Sequence, residues 1–405
     1  MKRALVLCGG GSRGAYEAGF IEALSELGFV FDIVCGTSIG ALNGCLVSMG
    51  KIKELSELWD HISISSVIKG DFNEDFKLNL ENLIDSRNLV ISFFKSYIKE
   101  KGADITPLKQ LISQYLDEDL LLSSPVEFGL CTVMYPSLKP LYISKSNMKK
   151  ENIGDYLLAS ASVFPVFPIH HFNDEYYLDG GYYDNLPIDF ALELGADEII
   201  AIDLKDDVTH SHYLNRPNID YIVPYYHLGM MFDFSKESIL RNKRAGYNDC
   251  MKRYGHYKGM RYTFTDHHCL FLKDYYKDYM LLDKQIRRTL FIDSHKKFLD
   301  YHKGTDLIID DYFYICLDWI LELMGKDETY VYCLEDLLEE IKDYFKVVNH
   351  EERFHKMINS NKIEYIKKCI DEMTHNQGVV PSSLIMPIFI KELIMARFIY
   401  FINNK

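Results

Sequence analysis

Three short clusters in the first half of the sequence carry residue types and spacings that could do chemistry. The first is Gly9-Gly10-Gly11-Ser12-Arg13-Gly14. Glycines let backbone N–H groups approach an anion closely, and a helix opening just beyond them adds its positive end. The run therefore reads either as an oxyanion-binding loop or as a plain tight turn from strand to helix. It also satisfies G-x-G-x-x-G, the spacing of a dinucleotide-binding loop, with Asp32 18 residues further on. A ribose-binding acid belongs at the C-terminal end of the second strand. Asp32 precedes the apolar run Ile33-Val34-Cys35 instead, which disfavours a nicotinamide- or flavin-dependent oxidoreductase.

The second cluster is Gly36-Thr37-Ser38-Ile39-Gly40, a G-x-S-x-G between strand-like and helix-like stretches. That arrangement forces a serine into a strained turn at a helix N-terminus, where alkoxide and oxyanion are both favoured. The third is Asp179-Gly180-Gly181, following Tyr176-Tyr177-Leu178. A serine hydroxyl needs a base to take its proton. Asp179 could be that base only if desolvation raises it above the ordinary carboxylate range of about 4. On its own, D-G-G is also an ordinary turn. His170 and His171 are the rival bases, although 14 histidines make such proximity cheap.

In this order the three clusters resemble the patatin-like phospholipases and the related core of the cytosolic phospholipases. Supporting matches are Ala159-Ser160-Ala161-Ser162, Phe164-Pro165-Val166-Phe167-Pro168, Asn185-Leu186-Pro187, and Asn242, Gly246 and Tyr247 in a closing helix. The resemblance covers about residues 1–262. It implies a three-layer α/β/α fold with a mostly parallel central sheet. It also implies a lipid acyl hydrolase in which Ser38 attacks an ester of a phospholipid or lysophospholipid and Asp179 serves as base, without a histidine. Gly9, Gly10 and Gly11, with Arg13 and Gly14 shaping the loop, would form the oxyanion hole. Gly36, Thr37, Ile39 and Gly40 would form the nucleophile elbow, and Gly180 and Gly181 would flank the proton acceptor. An acyltransferase using the same dyad is the alternative. The resemblance implies no cofactor, and no cluster with metal-ligand spacing lies near the motifs.

The elements that must position these residues follow a strand–helix alternation. Ala4–Cys8, Phe29–Cys35, Phe128–Val133, Lys139–Ile143, Tyr176–Leu178 and Glu198–Ile202 read as strands, several of them continuous apolar runs suited to a buried parallel sheet. Ala15–Leu27, ending at Gly28, and Ala41–Met49 read as helices. Such a rhythm predicts an α/β layered fold. Beyond about Tyr262 the strand signals stop, and Leu281–Leu299, Asp310–Met324, Leu334–Phe345 and Asn361–Met373 read as amphipathic helices. The division expected is a catalytic domain over 1–262 and a helical C-terminal region over 263–405.

Composition bounds the rest. A net charge of −14 over 405 residues argues against nucleic-acid partners. One stretch runs the other way: Arg241, Lys243, Arg244, Lys252, Arg253, Lys258 and Arg261 surround the single acid Asp249, either a solvated helix face or a surface for phosphate head groups. Nine cysteines without paired spacing suit free thiols in a reducing compartment. The apolar run Ala4–Cys8 is too short for a secretory signal. Leu384–Ile402 is apolar but carries Lys391, Glu392 and Arg397, each opposing insertion by roughly 2.5–3.5 kcal/mol. It reads as a buried or interfacial helix, not a membrane span. The expected setting is cytoplasmic, with lipid as substrate; signal-independent export stays open, and the helical region either completes the hydrophobic core or provides peripheral membrane contact. The sequence does not specify an oligomeric state.

Overall fold

The computed structural model describes residues 1–69, 103–205, 208, 210–214, 216–265, 271–302, 307–346 and 357–405. The chain divides into two compact units, Met1–Cys250 and Met251–Lys405.

In the first unit the elements run β1 (Arg3–Leu7), α1 (Gly14–Glu26), β2 (Ile33–Thr37), α2 (Ile39–Ser48), α3 (Ile52–His61), α4 (Thr106–Tyr115), α5 (Glu118–Ser123), β3 (Glu127–Tyr135), β4 (Lys139–Ser144), α6 (Ile153–Ser160), β5 (His170–Phe172), β6 (Glu175–Asp179), α7 (Ile188–Glu193), β7 (Glu198–Ile202), β8 (Ile219–Ile222) and α8 (Lys236–Arg253). The strand order is β5-β6-β3-β2-β1-β7-β8, with β4 also on β3. From β3 to β8 the pairs are parallel; β4, β5 and β6 join antiparallel. Every residue of β2, and all of β1 after Arg3, is buried, so both faces of the sheet centre are covered, as a continuous apolar strand requires. This is the three-layer α/β/α arrangement with a mostly parallel sheet.

The register around β3 decides which residues can meet. Strand β3 carries β4 on one edge along Gly129–Met134. Its other edge is shared end to end: β2 runs parallel as far as the Thr37–Cys131 pair, and β6 runs antiparallel down to the Asp179–Thr132 pair. The C-terminal ends of β2 and β6 therefore converge on adjacent residues of one strand.

Strand β2 starts at Ile33, later than the apolar run from Phe29 suggests, because Asp32 closes a local link: its carboxylate accepts the Arg3 amide at 2.8 Å. Asp32 thus sits at the opposite end of β1 from the glycine loop, which removes the geometric basis of a dinucleotide site. Two strands, β5 and β8, escaped the sequence reading, being only three and four residues long.

The second unit holds β9 (Tyr257–Lys258), β10 (Thr263–Thr265), α9 (Leu272–Leu290), α10 (Lys296–Tyr301), α11 (Ile309–Met324), β11 (Val331–Tyr332), α12 (Leu334–Lys346), α13 (Met357–His375) and α14 (Ile390–Asn403). Strands do not stop at Tyr262: β10 pairs with both β9 and β11, and strands of two or three residues leave no alternation to detect. The expected single helix over 281–299 is two helices, separated by a turn whose first residue, Phe291, is left-handed at φ 58°. Buried aromatics fill the interior, among them Tyr275, Tyr279, Phe298, Phe313, Trp319 and Phe398.

Of the two stretches left open as lipid-facing, the apolar one is buried, and three cations of the basic one are engaged within the protein. Helix α14 is buried along nearly its whole length, with Arg397 bonded to Asp278 and Glu392 to Lys362 at 3.2 Å. Within the basic stretch, Lys243 pairs with Asp60 at 2.6 Å, Arg261 pairs with Glu328 at 2.6 Å, and Lys252 binds the Met260 carbonyl. No described helix is long and apolar enough to cross a membrane.

Candidate active site

Strand β2 ends at Thr37, and the chain reverses through Ser38 into α2. Ser38 adopts φ 55°, ψ −123°, a strained conformation for a residue with a Cβ. The flanking glycines make the turn possible: a Cβ on Gly36 would stand 2.3 Å from the Gly40 carbonyl oxygen, and one on Gly40 2.5 Å from that of Leu7. Ser38 therefore stands at the N-terminus of a ten-residue helix, where the dipole favours negative charge. Its own amide donates to Ser160 Oγ at 2.9 Å, and that hydroxyl donates to the Cys131 carbonyl at 2.7 Å. Ser160, at the end of α6, thus ties the elbow to β3. The sequence singled out its motif but gave it no role.

Asp179 ends β6 and caps the short turn Gly180–Tyr182, accepting the Gly181 amide at 2.7 Å. Gly180 passes directly over β3, where a Cβ would lie 2.3 Å from the Cys131 carbonyl oxygen. Burial pushes the Asp179 carboxyl up to about 6, while hydrogen bonds from the Ser38 side chain and the Gly181 amide pull the other way. The carboxyl is only 5% exposed. The convergence of β2 and β6 on β3 is what brings these two residues together from positions far apart in sequence.

The glycine run packs against both. It leaves β1 through Cys8, whose amide donates to buried Glu17 at 2.8 Å; Glu17 also accepts from Asn43 at 2.8 Å, and Asn43 in turn accepts the Trp59 indole N–H at 3.0 Å. Gly11 is left-handed at φ 57°, and a Cβ there would meet the Met231 carbonyl oxygen at 2.3 Å, so only glycine fits. The sequence groups Gly9 with the amides offered to an oxyanion. Its N–H is instead committed to the Asn185 carbonyl at 3.0 Å, while Asn185 Nδ2 returns a bond to the Gly9 carbonyl at 2.9 Å. The Ser12 amide is bonded to the Met231 carbonyl, and that of Arg13 to Gly10. Gly10 and Gly11 are the loop positions whose amides make no hydrogen bond among the described residues.

A strap over residues 228–231 fixes the loop from outside. Ser12 Oγ donates to the Met230 carbonyl at 2.9 Å and Arg13 Nε to the Gly229 carbonyl at 2.8 Å. The strap is held to α8 by Asn242 Nδ2, which donates to the Leu228 carbonyl at 2.8 Å. Gly246, on the same helix, lies against the backbone of Tyr16 in α1. Arg13 thus shapes the loop through its backbone anchor. Thr37 is anchored to the Asp184 carbonyl at 2.9 Å.

Ser38, Asp179, Gly10 and Gly11 open into one cleft of about 630 Å³. Its walls are largely apolar, with Leu42, Leu46, Trp59, Ile112 and Phe167 among them. Neither candidate histidine joins it. His170 is bonded to Asp155 at 3.0 Å, and burial lowers its basicity; His171 packs on Tyr176. Among the described residues no group of three His, Cys, Asp or Glu side chains could hold a metal ion.

A mixed α/β sheet with a strained serine at a strand-to-helix turn, a buried carboxyl beside it and a glycine loop alongside has the geometry that a nucleophile elbow requires. Residues 5–192 of the chain match the patatin-like phospholipase family model. Over 218 residues, 52% of the chain, it is 30% identical to the human patatin-like phospholipase domain-containing protein 6 and 28% identical to protein 7 of that series from Rattus norvegicus. It is 29% identical over 211 residues to a protein from Aspergillus terreus named lysophospholipase nte1. The matched region spans 14%, 14% and 12% of the length of these relatives. Two solved structures align along 98% of the chain: VipD from Legionella pneumophila, at 15% identity over 91% of that chain with a TM-score of 0.42, and the type III effector protein ExoU, at 14% over 93% with a TM-score of 0.31. At these scores neither overlay bears on function.

Proposed function

We propose that this chain is a lipid acyl hydrolase that cleaves carboxylic ester bonds of phospholipids or lysophospholipids through Ser38 and Asp179. The observation that carries the reading is the meeting of a strained elbow serine and a buried carboxyl of raised basicity at the mouth of an apolar cleft. Asp179 takes the Ser38 proton as Oγ attacks the ester carbonyl carbon. The carbonyl oxygen, now negative, accepts from the Gly10 and Gly11 amides. Collapse of the tetrahedral adduct breaks the ester C–O bond, and the proton held by Asp179 goes to the departing alkoxide. Water then attacks the acyl-serine, Asp179 taking its proton, and the fatty acid leaves as Ser38 regains its hydrogen. The apolar cleft supports an acyl chain as the buried part of the substrate. The names of the family and of the Aspergillus relative support a phospholipid or lysophospholipid ester. The eight described cysteines are free thiols, which supports the cytoplasmic setting included in this reading.

The test is product analysis by mass spectrometry on a panel of mixed-chain phospholipids and lysophospholipids, with Ser38→Ala and Asp179→Asn beside the wild type. Fatty acid release by the wild type alone, with fluorophosphonate labelling lost in Ser38→Ala, is expected. Transfer of the acyl group to an added alcohol in preference to water would make the chain an acyltransferase. Retained activity in Asp179→Asn would remove the dyad.

A further inference from the structure

We infer that the turn between α9 and α10 is a preformed docking tip for an anionic lipid bilayer. Phe291 is 93% exposed and Leu281 61% exposed, and Ile292 and Met280 also face solvent. A large aromatic so fully in water calls for a reason, because burying it is favourable almost anywhere else. Local disorder does not supply one. Phe291 is held in a left-handed conformation, its amide on the Arg287 carbonyl at 3.0 Å. The turn behind it is clamped by the buried carboxylate of Asp283, which accepts Ser294 Oγ at 2.6 Å and Arg287 Nε at 2.5 Å. Arg287 also pairs with Asp293 at 2.7 Å, and Tyr279 bonds Ser294 at 3.0 Å. The fold thus builds a rigid polar base whose effect is to hold an apolar side chain outward.

Charge selects the occupant. Once Arg287 is paired, the exposed cations Lys284, Arg288, Lys296 and Lys297 have no carboxylate partner among the described residues. Lys284 and Arg288 lie one turn apart on the outer face of α9, in line with Leu281 and Phe291. Lys296 and Lys297 open α10, which begins just past the turn. Four free cations around an exposed aromatic stand out on a chain of net charge −14. Apolar side chains that enter the acyl boundary, ringed by cations that meet phosphate, are the pattern of a peripheral membrane anchor. The choice of a lipid surface over other anionic partners rests on the lipid-cleaving reading of the first unit.

The experiment is co-sedimentation of the full chain with vesicles of phosphatidylcholine alone or with phosphatidylglycerol, at low and high salt. Binding is read on the Ser38→Ala protein as well as the wild type, so that loss of docking and loss of catalysis are separate results. Phe291→Asn, which tolerates the left-handed backbone, and Lys284→Glu/Arg288→Glu are compared with the parent. Expected are binding to the anionic vesicles that weakens with salt, and a fall of about tenfold or more in each variant, with hydrolysis of a short soluble ester unchanged. Unaltered vesicle binding in both variants would overturn the proposal. So would a tip that instead joins two copies of this chain, seen as a dimer that Phe291→Asn dissolves while vesicle binding is absent.

Discussion

A carboxylate that is to take a proton from serine must be ionised when attack begins and still basic enough to accept. Asp179 meets both conditions: with its carboxyl pushed up to about 6 by burial, it is mostly ionised at neutral pH yet some hundredfold more basic than an ordinary Asp, by about two pKa units. Hydrolysis of a soluble ester should therefore rise with pH through about 6 and then level. A profile turning near 7 and abolished by His170→Gln would point to a histidine base. The same shift has a cost in stability. Its folded pKa lies above the ordinary 3.8, so the folded state holds this proton more tightly than the unfolded chain does. The stabilisation is fully present below about pH 4 and is lost as pH rises through 6, an upper limit of roughly 3 kcal/mol from two units. Asp179→Asn removes the charge and keeps an acceptor for the Gly181 amide. It should abolish turnover and yet raise the Tm at pH 8, with the gain vanishing near pH 4. A Tm lowered at pH 8 would mean that the carboxylate stabilises the site.

In the proposed mechanism the glycine loop must hold its two free amides at fixed positions, and several elements share that task. Asn185 clasps Gly9 by two hydrogen bonds, and the strap over 228–231 holds Ser12 and Arg13. Asn185→Ala should lower kcat about tenfold or more with little change in KM, because a displaced oxyanion donor matters chiefly in the transition state. A change confined to KM would mean that Asn185 contacts substrate instead. Much of this site was legible because its chemistry is local: loop, elbow and D-G-G each place glycines next to the residue they serve. What lay beyond reading was which amides remain free. Gly9 is taken by a residue 176 positions away, and no local pattern announces that pairing. The sheet shows the same division. Buried strands such as β1 and β7 were readable as apolar runs, whereas the end-to-end sharing of one β3 edge by β2 and β6 is a matter of register between distant segments. The helical segments of the second unit were legible by period, but the break at Phe291 was not, since it depends on Asp283 reaching Ser294 and on no glycine or proline.

Taken as a whole, the molecule keeps a set of carboxyl groups away from water in both units. Asp179 in the first and Asp318 in the second are each pushed up to about 6 by burial; Asp318 accepts the Arg261 and Tyr262 amides and the Tyr301 hydroxyl. Burial also raises Glu17, Asp311 and Glu118. The two lowered carboxyls, Asp104 and Asp274, lie at the surface, where solvent screens their contribution. For every raised acid the folded state binds its proton more tightly than the unfolded chain, so each contributes stability at low pH that fades as pH climbs through its folded value. His170 opposes them: its depressed basicity gives stability at neutral pH that is lost as pH falls below the ordinary histidine value of about 6.5 toward its lower folded one. It is one group against five, and the net charge of −14 adds self-repulsion as the remaining acids ionise. The Tm should therefore be higher at pH 5 than at pH 8, by roughly 3 °C, because each of the two acids near 6 retains about 1.4 kcal/mol of this stabilisation at pH 5. Calorimetry across that range checks it, with Asp179→Asn/Asp318→Asn as the comparison in which most of the slope disappears. A Tm that rises from pH 5 to pH 8 would mean that surface ion pairs, and not the buried acids, govern how this protein responds to pH.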